Sequence, residues 1–210
     1  MKKFEFLIIC LLICFGGISA SAAGNTVFFN YEFENIKTGN LPVKWGVFLK
    51  NDNNIARVEE FPSSENKSFY FAKKGENDPY VNIYEATDFN ADNAVLEFSF
   101  YSPDTSVSKT IMLRDINAQF NALLNIGENG IFAVPGQKTW TYNAKVWNKV
   151  VCKINFNQKK VSVYLNDNCV ANNVAFANPS FGQLGIVRVT YPAEGNYGEL
   201  YIDNLRFYEG

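Results

Sequence analysis

The chain has 210 residues, of which 47% are hydrophobic and 16% aromatic, with 19 basic residues, 21 acidic residues and no histidine. The missing histidine excludes serine and cysteine hydrolases of the usual His-dependent type, His-ligated zinc sites and His-based lyases. A net charge of −2, with basic doublets only at Lys73-Lys74 and Lys159-Lys160 beyond the N-terminus, argues against a nucleic-acid partner, which needs a basic stripe to neutralise phosphates.

The first 22 residues read as a secretory signal peptide. Lys2 and Lys3 supply the positive start, Phe6 to Phe15 an apolar run too short to span a bilayer, and Ala20-Ser21-Ala22 a small-x-small cleavage pattern. Cys10 and Cys14 raise a lipoprotein leader as the rival, but Ile9 and Ile13 stand where that signal needs a small residue. Removal takes away Lys2, Lys3 and Glu5, so the expected mature chain, 23–210, carries −3 and is exported, extracellular or periplasmic. No later segment is long and apolar enough to be a membrane helix.

From there the pattern is short strands divided by turn chemistry. Strands are predicted at Val27–Glu34, Val47–Leu49, Ala56–Phe61, Ser68–Ala72, Tyr80–Tyr84 and Ala94–Tyr101. They continue at Thr110–Arg114, Ala122–Ile126, Ile131–Ala133, Lys149–Phe156, Lys160–Asn166, Val170–Ala171, Gly185–Thr190 and Glu199–Tyr208. The alternation is cleanest where Leu96, Phe98 and Phe100 oppose Val95, Glu97 and Ser99. Asn157-Gln158 and Asn166-Asp167-Asn168 are turn sequences. One helical turn or two is expected around Asp115–Phe120. This many regular short strands, with no repeat or linker, predict a single all-β domain, an antiparallel two-sheet sandwich or jelly roll. Cys152 and Cys169 survive processing. If 161–165 lies between their strands the thiols stand about 10 Å apart, too far for a disulfide, and the expectation is two buried thiols.

The two ends look built to meet. The closing strand Leu200-Tyr201-Ile202-Asp203-Asn204-Leu205-Arg206-Phe207 interrupts an apolar alternation with a carboxylate that needs compensation, and Phe29-Asn30-Tyr31-Glu32-Phe33-Glu34 is a matching acidic strand.

Several motifs, in order, resemble the concanavalin A-like lectin/glucanase superfamily in its laminin-G-like secreted bacterial form. They are Tyr31-Glu32-Phe33-Glu34…Gly39…Pro42…Trp45, Asn66-Lys67-Ser68-Phe69-Tyr70-Phe71, Trp147-Asn148-Lys149-Val150, Val161-Ser162-Val163-Tyr164-Leu165-Asn166, and Tyr201-Ile202-Asp203-Asn204-Leu205. Calcium-binding jelly-roll carbohydrate modules share the opening and closing motifs. The resemblance implies a jelly roll of the concanavalin A-like type, polysaccharide recognition, and a structural calcium tying the terminal strands together. The positions that match its ligands are Glu34, the backbone carbonyl near Asn66, and Asp203; calcium suits such oxygens. The alternative is that Asp203 caps a turn or pairs with Arg206 while Glu34 is solvated.

The E-x-D-x-x-E strand of the superfamily's glucanases has no counterpart. Glu59 and Glu60 are neighbours on opposite faces of a strand, and Glu97 stands alone. The expected function is therefore a secreted, non-catalytic polysaccharide-binding or surface-adhesion module, with a glycan as partner. The alternatives are a polysaccharide lyase or hydrolase lacking the usual acidic motif, and a structural protein-binding module. Sugar sites use aromatic faces rimmed by polar groups. Trp140 and Tyr142, in a polar stretch, and Tyr191 and Tyr197, flanking 192–196, are the candidate platform, with Arg114 and Asp115 adding hydrogen bonds. Trp45 and Trp147 are expected to pack inward.

Overall fold

The computed structural model describes residues 26–75, 78–83, 89–103, 107–192 and 197–210. The expected leader, 1–22, lies outside them. Among the described residues there are fifteen strands: β1 (Val27–Tyr31), β2 (Trp45–Phe48), β3 (Ile55–Glu60), β4 (Lys67–Lys74), β5 (Tyr80–Ile83), β6 (Asn93–Tyr101), β7 (Lys109–Asp115), β8 (Phe120–Ile126), β9 (Ile131–Ala133), β10 (Trp140–Thr141), β11 (Asn148–Asn155), β12 (Lys160–Leu165), β13 (Asn168–Ala175), β14 (Leu184–Thr190) and β15 (Tyr197–Glu209). They form two antiparallel sheets. One has eight strands in the order β13-β12-β11-β6-β15-β4-β3, with β1 also on β15; the other has seven, β10-β9-β8-β7-β14-β5-β2.

The period-2 pattern explains the core. Phe69 and Phe71 of β4, Leu96, Phe98 and Phe100 of β6, and Leu200 and Ile202 of β15 are fully buried against Ile111 and Leu113 of β7 and Val187 and Val189 of β14. Trp45 joins this core as expected, its ring edge-on to Phe69 at 4.8 Å. Each large apolar side chain buried this way contributes about 1.5–3 kcal/mol, so the aromatic residues on the inner faces hold the two sheets together.

The two segments expected to meet do lie side by side. Asn30 pairs with Arg206 and Tyr31 with Leu205, while the earlier half of β15, Tyr197 to Ile202, pairs with β4. The change of partner falls at a bulge after Asp203, where Asn204 has φ +50. Asparagine tolerates that left-handed backbone better than other non-glycine residues.

Three local expectations are corrected. Asp115–Phe120 is not helical but the turn of the β7–β8 hairpin, closed by Asp115 N donating to Gln119 O at 2.9 Å. The thiols are on β11 and β13 with β12 between, and both are free, but Cys169 is exposed because it begins an edge strand. Trp147 does not enter the core. It lies half-buried on the outward face of the eight-stranded sheet.

Candidate functional site

The six side chains expected to form one ligand surface are dispersed. Tyr142 is buried, edge-on to Phe100 at 5.2 Å, and its hydroxyl donates to Gly127 O at 3.2 Å. Tyr191 is likewise buried, with its hydroxyl donating to Phe71 O at 2.9 Å. Each has a satisfied polar end and no face for a ligand, so both are core residues. Asp115 is buried too. Its Oδ1 accepts from the amides of Asn117 and Gln119 and its Oδ2 from Gly182 N, which makes it the organiser of a turn. Trp140 is half-buried, and its Nε1 donates to Val170 O at 3.2 Å, linking β10 of one sheet to β13 of the other across the open side of the sandwich. Lys138 sits over its ring at 4.8 Å. Tyr197 is 66% exposed, at the far end of β15 beside Lys74. Arg114 follows Leu113 inward-to-outward and emerges on the outer face of the seven-stranded sheet.

A different set of aromatics does converge. On β15, Tyr201 falls between buried Leu200 and Ile202 and so points outward; Tyr70 of β4 and Tyr101 of β6 do the same beside Phe69, Phe71 and Phe100. Phe61, just after β3, stacks on Tyr201 with centroids 4.0 Å apart and meets Tyr101 at 4.8 Å. Trp147 closes the group at 5.8 Å from Tyr101 and 6.1 Å from Phe61, and Tyr70 lies 4.7 Å from Tyr201. Five rings from five separate segments thus cover the middle of the eight-stranded sheet.

Ionisable groups rim this cluster. Tyr70 Oη donates to Glu199 Oε1 at 2.7 Å, and burial together with that carboxylate drives the phenol well above its ordinary range. Tyr201 is pushed up to about 12 by burial and by the charges of Glu59 and Glu199. Arg57 donates from Nε to Glu59 at 2.7 Å. Beyond Trp147 the surface falls into a cleft of about 270 Å³ lined by Pro62, Asn66, Ser99, Trp147, Asp203 and Asn204. On the other side of Asn204 a second cleft, about 190 Å³, is lined by Asn30, Glu32, Glu97 and Arg206. Asp203 is raised to about 6, by burial first and by Glu34 and Glu32 after that, against the Asn204 amide that its Oδ1 accepts at 2.7 Å.

The positions matched to calcium ligands lie around these clefts, with the Glu34 charge felt at Asp203. Asn66 and Asp203 share the larger cleft, whereas Glu34 is exposed in the turn after β1 and lines neither cleft just described. The carbonyls of Glu34 and Ile36 both accept from Lys67 Nζ at 2.9 Å. Among the described residues no three acidic, histidine or cysteine side chains are grouped to hold one metal ion.

No protein-family model matches the chain, and no curated protein matches it. Solved structures do match in fold. A sialidase superposes with a TM-score of 0.68 at 12% identity over 88% of this chain, which spans 19% of the sialidase. The catalytic domain of the glycoside hydrolase family 131 protein from Coprinopsis cinerea gives 0.58 at 14% identity, covering 88% of this chain and 95% of that one. The Emp47p carbohydrate recognition domain gives 0.57 at 13% identity, covering 88% and 97%. With two antiparallel sheets, termini paired on one of them, and these similarities over most of its length, the chain has the jelly-roll sandwich fold of the concanavalin A-like type.

Proposed function

We propose that this is an exported polysaccharide-binding protein, and that a glycan lies along the outward face of the eight-stranded sheet against Phe61, Tyr101, Trp147 and Tyr201. The observation that carries this reading is the convergence of those rings from separate segments beside Glu59, Glu199 and the Asp203 cleft. Flat apolar faces take the carbohydrate C–H surface, and the rim of amides and carboxylates takes its hydroxyls. Similarity in fold to a carbohydrate recognition domain and to a glycoside hydrolase domain supports a carbohydrate-related role. The test is titration with a panel of neutral cell-wall and plant polysaccharides. Wild type binds at least one, Tyr201→Ala weakens it about tenfold, the cost of losing one central aromatic contact, and Tyr142→Phe leaves it unchanged. Silence across the panel rejects the reading.

One observation favours a second reading, that the cleft cuts the glycan. Asp203, raised to about 6, keeps its proton in mildly acidic solution beside Ser99 and Trp147, as a general acid requires. Release of reducing ends that is lost in Asp203→Asn but not in Glu60→Gln would support it. Unchanged polymer length across the same panel would leave binding as the function.

A further inference from the structure

The ring cluster is one end of a longer feature. On β6 the core takes Leu96, Phe98 and Phe100, so Val95, Glu97, Ser99 and Tyr101 succeed one another along the outward face of the sheet. Tyr101 belongs to the cluster, and Ser99 lines the cleft of about 270 Å³. Glu97 lines the cleft of about 190 Å³, which shares Asn204 with the first. Val95 lines a third and larger hollow, about 520 Å³, together with Lys153, Asn155, Ser162, Asn173 and Tyr208.

Strand register assembles this third hollow. Val95 pairs with Lys153 of β11 on one side and with Tyr208 of β15 on the other, and Lys153 pairs in turn with Ser162 of β12. Arg206 lies 4.6 Å from the Tyr208 ring centre, and the Tyr208 hydroxyl donates to Glu97 Oε2 at 3.4 Å, which joins the third hollow to the second. Glu97 Oε1 meets Lys149 Nζ at 2.7 Å, so the carboxylate between the two ends is matched by a cation. Asn155 Nδ2 donates to Asn93 Oδ1 at 2.8 Å, and Ser162 Oγ accepts from Asn173 N at 2.9 Å, which fixes these polar groups in place. One ring, two amides, a hydroxyl and an ammonium around a hollow repeat the chemistry of the ring cluster. From Val95 to Tyr101 the strand rises about 20 Å. That is farther than a disaccharide reaches and within the span of a short linear oligosaccharide.

We infer that one linear, neutral glycan occupies both ends of this track, with a sugar on Tyr101 and Tyr201 and another, several units along, in the hollow beside Tyr208 and Lys153. The inference rests on the reading of the protein as a glycan binder and adds a ligand class to it: unbranched stretches of a polymer, as against a terminal sugar or a disaccharide. Two contacts on one chain reinforce each other, because the second forms within a molecule already held. The polysaccharide of the panel that wild type binds is cut to its disaccharide and hexasaccharide, and both are titrated against the full protein. The hexasaccharide binds at least about tenfold more tightly than the disaccharide. Tyr208→Ala lowers hexasaccharide affinity about tenfold and Lys153→Ala about threefold, and neither changes that of the disaccharide. Lys153 is exposed, so its truncation tests the hollow even where loss of the Tyr208 ring disturbs folding. Equal affinity for the two lengths, or hexasaccharide binding unmoved in both variants, overturns the inference and leaves the glycan-binding reading standing. Equal weakening of both lengths by Tyr208→Ala overturns it as well. Silence across the whole panel removes both, so the two failures are told apart.

Discussion

The two outward faces of the sandwich are built on one principle and differ in charge. On the eight-stranded sheet the strands carry Glu59, Glu60, Glu97, Glu199, Asp203 and Glu209 among basic residues, and the half-buried aromatics of the outer face pack on one another. In the described strands of the seven-stranded sheet no acidic side chain takes an outward position, and arginines lie over the Tyr80 and Phe120 rings beside the stacked pair of Phe48 and Tyr80. Strand order accounts for the contrast. Tyr70 and Tyr201 sit directly opposite each other on β4 and β15, so rings meet rings. Tyr80 meets a ring, Phe48, directly opposite on β2, but on β14 its direct partner is Thr190 and Arg188 sits diagonally, so on that side a cation meets the ring. Cross-strand neighbours, more than composition, decide what a face can recognise.

The comparison can be broken by removing what each face stands on. The largest effect is expected beneath the seven-stranded sheet. Asp115→Ala removes a buried carboxylate that accepts from three backbone amides and is expected to cost about 3 kcal/mol in chemical denaturation, lowering binding only through unfolding. Next is Lys67→Met, which leaves the carbonyls of Glu34 and Ile36 without their donor and is expected to cost about 1–2 kcal/mol. Tyr191→Phe, which loses one buried hydrogen bond under the β14 end, should cost about 1 kcal/mol.

The acidic face has a pH signature of its own. Asp203 is raised from 3.8 to about 6, so the folded protein holds this proton more tightly than the unfolded chain does. Its stabilising contribution is complete below about pH 4 and is lost as pH rises through about 6. Asp203→Asn should therefore melt higher than wild type at pH 7.5 and alike at pH 4, as read by thermal denaturation. The smallest effect is expected from Lys149→Ala, which breaks an exposed ion pair with Glu97 at 2.7 Å and should change stability by no more than about 0.5 kcal/mol.

Most of the fold was legible because burial repeats every two residues. The strands from Ala94 to Tyr101 and from Lys149 to Phe156 stand within a residue of where alternation puts them, and Ile131–Ala133 matches at both ends. Trp140–Thr141, in a polar stretch readable as loop or edge strand, carries no period over two residues; pairing with Phe132 and Ile131 makes it an edge strand. Tyr142 and Tyr191 misled for a related reason. Polar neighbours suggested exposed loops, while the rings turn inward and satisfy their hydroxyls on Gly127 and Phe71 carbonyls. The aromatic cluster was missed because Phe61, Tyr101, Trp147 and Tyr201 are far apart along the chain. A signal existed nonetheless. The alternation that buries Phe98 and Phe100 turns Tyr101 outward with Glu97 and Ser99, and the one that buries Leu200 and Ile202 does so for Tyr201. Charge contrast between the sheets became visible only once strand order was known.

The switch of partner along the last strand governs when the molecule can be completed. Residues Val27 to Tyr31 find their place only against Leu205 to Tyr208, more than 170 positions away, so nearly the whole polypeptide must exist before the seam closes. Until then β15 has one flank open beyond its bulge, and the two clefts either side of Asn204, each of which draws on that seam or its neighbours, are unfinished. The ligand recognition proposed for the acidic side is thus coupled to the final act of assembly, and a chain lacking 27–31 or 205–208 would forfeit it while much of the remaining sandwich still collapses.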